Sequence, residues 1–150
     1  MPSFTDYSMT NRTYRYFKGM PLYAFGHGLS YTKFDFKNGK LEKIAPNGTV
    51  KMTFTIKNTG KRDGCEVAQV YYRHVNSKVS QPKLSLCGFS RVDLKSGKST
   101  KVTIQVPAER LRYWDTEKKQ YVVEPGDYEF LVGAASDDIR LTFPMTIVAR

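Results

Sequence analysis

The sequence is short of the features that most metal and membrane proteins need. Its 150 residues include only two cysteines, two histidines and one tryptophan. The cysteines and histidines show no paired spacing of the C-x-x-C or H-x-x-x-H kind, and no apolar run is long enough to span a bilayer. We therefore predict no metal, no cofactor and no membrane-spanning helix.

The usual signatures of a catalytic site are also missing. Neither Ser30 nor Ser85 lies in a G-x-S-x-G setting. Acidic residues such as Asp115 and Asp137 occur in predicted turns, and nothing pairs two of them as the acid and base of a glycosidase. The short Gly26-x-Gly28 run precedes a strand, which is not the setting of a phosphate-binding loop. We predict no catalytic residue in this chain.

Positive charge exceeds negative charge, with 24 Lys and Arg against 14 Asp and Glu and a net charge of +10. Such an excess can indicate a polyanionic partner. Here the lysines are dispersed through predicted strands and turns, as Lys51, Lys57 and Lys98 illustrate. The pattern favours a basic surface without a nucleic-acid partner.

The two cysteines leave two alternatives open. Cys65 and Cys87 form either one disulfide or a pair of free, buried thiols. The sequence does not fix the distance between them. We favour the free thiols.

Residues 31–150 show the alternation of apolar and polar residues that is typical of strands. Met52, Phe54 and Ile56 alternate with polar neighbours, which predicts a strand with one wet face. Residues 67–72 are apolar on both faces and indicate a central strand. The Asn38-Gly39 pair is predicted to be a turn.

The last predicted strand carries a proline, so it is expected at a sheet edge or at a bulge. Its apolar residues are predicted to share one face: Ile139, Leu141, Phe143, Met145 and Ile147. About seven short strands separated by turns predict an all-β, immunoglobulin-like or fibronectin type III-like antiparallel β-sandwich. The immunoglobulin order of Cys, Trp and Cys is absent, because Trp114 follows both cysteines.

Residues 1–30 differ from the rest, because they are rich in aromatic residues and lack strand or helix periodicity. A disordered tail would contain few aromatics, so we predict an irregular extension that docks on another surface. Gly26 and Gly28 would allow the chain to bend sharply. The side chains predicted to dock are Tyr14, Tyr16, Phe17, Leu22, Tyr23 and Phe25.

Three other aromatic residues carry separate predictions. Tyr113 and Trp114 could form a platform on which a sugar ring stacks, although a tryptophan is more often a core residue, and core burial of Trp114 is the favoured interpretation. Tyr128 follows Pro125-Gly126, which is the setting of a tyrosine corner, where the hydroxyl bonds to the backbone.

Several motifs together resemble glycoside hydrolase family 3 enzymes. The stretches RTYRYF at residues 12–17 and PLYAFGHGLSYT at residues 21–32 resemble the junction before the C-terminal domain of that family. Later motifs follow in the same order: NTG at 58–60, GCEVAQVY at 64–71, LCGF at 86–89, VEPGDY at 123–128 and VGAAS at 132–136. Ala24, where proline is common, and Cys65, where an acidic residue is common, depart from the pattern.

The resemblance implies a parent enzyme that is a retaining exo-β-glycosidase, such as a β-glucosidase or β-xylosidase, secreted or periplasmic. Its nucleophile and general acid would lie upstream, in a barrel and an α/β domain. Residues 1–30 would then be a connector from those catalytic domains, and residues 31–150 a non-catalytic accessory domain that stabilises and orients them. An exposed apolar patch on the isolated chain would favour self-association. The alternative function is a carbohydrate-binding module that uses Tyr113 and Trp114.

Overall fold

The computed structural model describes residues 3–44 and 48–148 of the chain. Met1 and Pro2 of the predicted connector, and residues 45–47 and 149–150 of the predicted sandwich, lie outside the described residues. The elements are α1 (Thr13–Tyr16), β1 (Phe34–Ile44), β2 (Thr49–Asn58), β3 (Gly64–His74), β4 (Ser85–Leu94), β5 (Ser99–Val106), a 3₁₀ turn (Ala108–Leu111), β6 (Tyr113–Asp115), β7 (Gln120–Val122), β8 (Gly126–Gly133) and β9 (Ile139–Ile147).

Seven of these strands form two antiparallel sheets, one in the order β1-β2-β5 and the other in the order β4-β3-β8-β9. The predicted β-sandwich is confirmed. β3 lies between β4 and β8, which confirms that residues 67–72 belong to a central strand. β9 lies at the edge of its sheet, where a proline without an N–H is tolerated, and Pro144 pairs in register with Glu129. β6 and β7 form a separate hairpin.

The main core fills the space between the two sheets. The inward side chains of β2 are fully buried, and those of β3, β5 and β8 face them with little exposure. The alternation seen in the sequence is therefore the alternation between core and solvent. The core residues of these four strands are Val50, Met52, Phe54, Ile56, Ala68, Val70, Tyr72, Val102, Ile104, Val106, Tyr128, Phe130 and Val132.

A second apolar cluster lies on the other side of the four-stranded sheet. It contains Tyr71, Leu84 and Leu131, with Tyr14 and Leu86 packed against them. Tyr71 is fully buried although it points away from the main core. The N-terminal segment covers this face, so β3 is apolar on both sides.

Two details of the strands differ from the predictions. Asn38-Gly39 is a β-bulge inside the continuous strand β1, because the register with β2 shifts between Lys37 and Lys40. Asn38 has a φ of +54°, and a side chain at residue 39 would meet the ring of Phe143.

Ile139 does not share the face of Leu141. The β8–β9 register shifts between Val132 and Gly133, and Ile139 packs with the second cluster while Leu141 packs with the main core. The extra residue at the bulge reverses the face of the sheet to which the side chains at the start of β9 point.

Tyr128 forms the predicted tyrosine corner, since its hydroxyl donates to the Glu124 carbonyl over 2.7 Å. Both cysteines are free, as predicted, and Cys87 is buried. Cys65 is exposed, so the prediction that it is buried is wrong. The early part of β3 alternates exposed and half-buried residues, and Cys65 belongs to that part.

Candidate interdomain docking surface

The N-terminal segment, residues 3–33, is hereafter called the leader. Its single helical turn is fastened to the sandwich beside the start of β4. The Lys83 N–H donates to the Arg15 carbonyl over 2.7 Å, and Arg15 Nε donates to Ser85 Oγ over 3.2 Å. The Leu86 N–H donates to the Tyr14 hydroxyl over 2.9 Å. These bonds give the leader a fixed position although it has almost no regular structure.

Aromatic packing holds the next part of the leader. The rings of Tyr14 and Phe25 stack with centroids 4.1 Å apart, and the rings of Tyr14 and Tyr71 form a T-shaped pair with centroids 6.2 Å apart. Burial, with smaller contributions from Tyr14 and Asp137, raises the pKa of Tyr71 well above its ordinary value. The Tyr71 hydroxyl therefore stays protonated and acts as a hydrogen-bond donor.

Gln69 connects the bend of the leader to the sheet. Its Nε2 donates to the carbonyls of Gly26, over 3.2 Å, and Ala134, over 2.5 Å. Its Oε1 accepts from the Tyr71 hydroxyl over 2.5 Å. Gly26 has a φ of +81°, and a Cβ there would overlap the Gln69 amide, so the bend requires glycine. Gly28 faces open space at negative φ, so only one of the two predicted glycines is needed.

The remaining side of the leader presents large apolar side chains to solvent. Leu22 and Tyr31 are each 90% exposed, and Tyr23 is 71% exposed. We define the leader surface as the exposed apolar residues from 20 to 31: Met20, Leu22, Tyr23, Phe25, Leu29 and Tyr31. So many large apolar groups in water on one short segment are typical of an interaction site.

A groove of about 670 Å³ adjoins the leader surface. Tyr14, Phe17, Tyr23 and Phe25 supply its aromatic lining, and Leu84 supplies an aliphatic part. Grooves with an aromatic and aliphatic lining of this kind are common at binding sites.

The structure places the six predicted docking residues in three settings. Tyr14 packs against the second apolar cluster, and its ring stacks on that of Phe25. Tyr16 is half-buried and Phe17 is 37% exposed, while Leu22 and Tyr23 point into solvent. The predicted set left out Met20, Leu29 and Tyr31, which are exposed to a similar degree. The aromatic and glycine-rich composition of this part of the sequence is the feature from which their exposure could have been predicted.

Trp114 is 50% exposed, so the favoured prediction that it belongs to the core is wrong. It lies on the β6–β7 hairpin, which pairs with neither sheet. Tyr113 is half-buried, and the exposed ring beside Trp114 is that of Tyr121, its cross-strand neighbour. The sequence pattern did not indicate Tyr121.

Among the described residues, no three His, Cys, Asp or Glu side chains come together as a metal site would require. Within the same residues no helix has the length and apolar character that crossing a membrane demands.

Residues 66–136 match the family model of the fibronectin type III-like domain. The chain is 38% identical to a xylan 1,4-β-xylosidase of Xylanibacter ruminicola over 138 residues, which are 92% of the chain and 16% of that protein. It is 38% identical to thermostable β-glucosidase B of Acetivibrio thermocellus, covering 85% of the chain and 18% of that protein. It is 36% identical to a periplasmic β-glucosidase of Salmonella typhimurium, covering 85% of the chain and 17% of that protein.

Solved structures agree with the sequence relatives. The chain superimposes on the glycoside hydrolase family 3 β-glucosidase of Bifidobacterium adolescentis with a TM-score of 0.80 and 35% identity, covering 83% of the chain and 18% of that protein. For β-glucosidase 3B of Thermotoga neapolitana the TM-score is 0.83 and the identity 34%, covering 91% of the chain and 19% of that protein. The chain thus spans less than a fifth of each of these enzymes. Residues 66–136 therefore belong to the fibronectin type III-like domains, and the chain as a whole is similar to a part of glycoside hydrolase family 3 enzymes.

Proposed function

We propose that this chain is the non-catalytic accessory domain of a β-glycosidase and that its leader surface docks on the catalytic domains of the same polypeptide. The observation that carries the proposal is the outward row of apolar side chains from residue 20 to residue 31 on a leader that is fixed to the sandwich. Docking would stabilise the catalytic domains and hold their relative orientation.

The attachment of the leader supports a stiff connection. Hydrogen bonds fasten it at Arg15, beside β4, and again at Phe25, whose carbonyl accepts from the Ser136 N–H over 2.9 Å. A partner that binds Leu22 or Tyr23 therefore contacts a segment that is already ordered, and it loses little conformational entropy on binding. Full burial of each such side chain contributes about 1.5–3 kcal/mol.

The small share of each relative that the chain covers supports the assignment of catalysis to other domains of the parent. More than four-fifths of each compared enzyme lies outside the matched region. Cleavage of β-glucosides or β-xylosides by the parent would take place in that remainder. The periplasmic relative is consistent with a parent that acts outside the cytoplasm.

Paired substitutions in the complete parent polypeptide test the proposal. Leu22→Ser and Leu29→Ser together remove two exposed leucines of the leader surface, and Phe89→Ser, at a side chain that is 69% exposed on β4, is the matched control. We expect the double variant to lower the parent's melting temperature and to increase protease cleavage between its domains. The control should do neither.

The isolated chain supplies a second measurement. Analytical ultracentrifugation should show concentration-dependent association that the double variant reduces and Phe89→Ser does not. A parent whose stability and proteolysis are the same in the double variant and the wild type would contradict the docking role.

A further inference from the structure

We propose that the β6–β7 hairpin carries a sugar-binding site for β-1,4-linked xylose or glucose chains, with the Trp114 indole as the surface on which a pyranose ring stacks. In both polysaccharides the bonds that link each sugar ring to the next are equatorial, so each ring presents a flat C–H face. An aromatic ring offers a complementary face whose π electrons attract those C–H groups.

The aromatic pair is held in place before any ligand arrives. Trp114 and Tyr121 are cross-strand partners with ring centroids 5.2 Å apart and planes at 74°, so the two rings form a corner. The Arg112 guanidinium lies 4.8 Å from the centre of the Tyr121 ring. A cation in this position fixes the tyrosine and leaves the half-exposed indole available.

A groove of about 370 Å³ runs beside the indole. Val79 and Ser80 form one wall, and residues 113–117 form the other. Ser80, Thr116 and Glu117 are among the residues that line it, and their side chains carry hydrogen-bonding groups. An aromatic surface flanked by a few polar groups is the usual composition of a site for a small polar ligand.

Hydrogen bonds hold both walls of the groove in place. Ser77 donates to the Glu124 carboxylate over 2.5 Å, and the Lys78 N–H donates to the same carboxylate over 2.8 Å, so the loop that carries Val79 is anchored. On the other wall, Asp115 Oδ1 accepts from the N–H groups of Glu117 and Lys118, each over 3.0 Å. A groove with ordered walls loses little entropy when it binds a sugar.

The site is separate from the leader surface. The hairpin precedes β8 at Gly126, whereas the bend of the leader is bonded to Ala134 and Ser136, beyond the other end of β8. Sugar binding thus does not depend on the docking proposal, and either can fail alone.

Intrinsic fluorescence of the isolated chain gives a direct test, because Trp114 is its single tryptophan. We would titrate xylohexaose, cellohexaose and the α-linked control maltohexaose. We expect a saturable change in emission with a Kd of about 1 mM for the β-linked sugars and none for maltohexaose. No saturable change at about twenty times that concentration, or equal binding of maltohexaose, would overturn the proposal.

Variants assign the binding to the hairpin. Trp114→Ala should abolish binding measured by calorimetry, Trp114→Phe should retain part of it, and Tyr121→Ala should weaken it about three- to tenfold. Phe89→Ala is the control and should bind like the wild type. Unchanged thermal unfolding of each variant shows that the fold is intact. Binding that survives Trp114→Ala places the sugar elsewhere and refutes the site.

Discussion

Gln69 and Gly26 are in direct contact, with Gln69 Nε2 3.2 Å from the Gly26 carbonyl and no room for a side chain between them. Because Gln69 lies in the central strand β3, this contact ties the leader to the middle of the four-stranded sheet. The leader is therefore part of the folded unit, and its exposed residues are displayed from a fixed support.

Gly26→Ala should destabilise the chain by about 1–3 kcal/mol, because it combines a positive φ with overlap of the Gln69 amide. Gly28→Ala is the matched control and should change the free energy of unfolding by less than about 0.5 kcal/mol, since its surroundings are open. Urea denaturation measures both. Equal effects of the two substitutions would show that the Gln69 contact does not hold the bend.

Tyr128→Phe removes one hydroxyl from a buried ring and leaves the packing intact. The Glu124 carbonyl then loses its 2.7 Å hydrogen bond, and we expect a loss of about 0.5–1.5 kcal/mol. The exposed Tyr121→Phe should stay within about 0.5 kcal/mol of the wild type in the same urea experiment. A neutral Tyr128→Phe would mean that the corner does not contribute to stability.

The ionisation of Glu124 makes the free energy of unfolding depend on pH. Burial by itself raises the pKa of Glu124, but hydrogen bonds from Ser77 and Lys78 and the nearby His74 imidazole outweigh it, so the pKa is lowered from its ordinary value of 4.5. A lowered folded pKa contributes stability that is present above pH 4.5 and is lost as the pH falls through the folded pKa.

The free energy of unfolding should consequently fall below about pH 4.5 more steeply for the wild type than for Glu124→Gln, whose side chain does not titrate. Glu117→Gln, which removes an exposed carboxylate, should retain the wild-type slope. Identical slopes for Glu124→Gln and the wild type would remove Glu124 as the source of the acid dependence.

The two thiols should react very differently. Burial raises the pKa of Cys87 to about 12, whereas Cys65 is exposed. A chromogenic disulfide reagent at about pH 8 should label one equivalent in the native chain and a second only after unfolding. Cys65→Ser should leave the native chain unlabelled. Rapid native labelling of Cys87 would show that β4 opens readily.

The sequence was sufficient to predict those features that depend on alternation and on proline. The period of two in Met52, Phe54 and Ile56 appears directly as core contacts, and Pro144 lies on the edge strand for the reason expected. Tyr128 could be placed because the local Pro-Gly setting determines its corner.

The features that could not be predicted depend on contacts between distant residues. Asn38-Gly39 resembles a turn locally, but its pairing with β2 and the ring of Phe143 make it a bulge. Trp114 is apolar enough for a core, and its exposure follows from a hairpin that joins neither sheet. The aromatic residues of the leader predict docking in general. Which of them contact the chain's own sheet and which face solvent depends on the position of Tyr71.

The proline on β9 limits how copies of this chain can meet along one sheet edge. A neighbouring backbone cannot complete a regular ladder along an edge where Pro144 offers no N–H, so continuous strand addition on that side is blocked. Clustering of the free chain along this edge would then rest on side-chain contacts and would disperse on dilution or in mild detergent, whereas a backbone ladder remains open to the other edge strands, β1, β4 and β5.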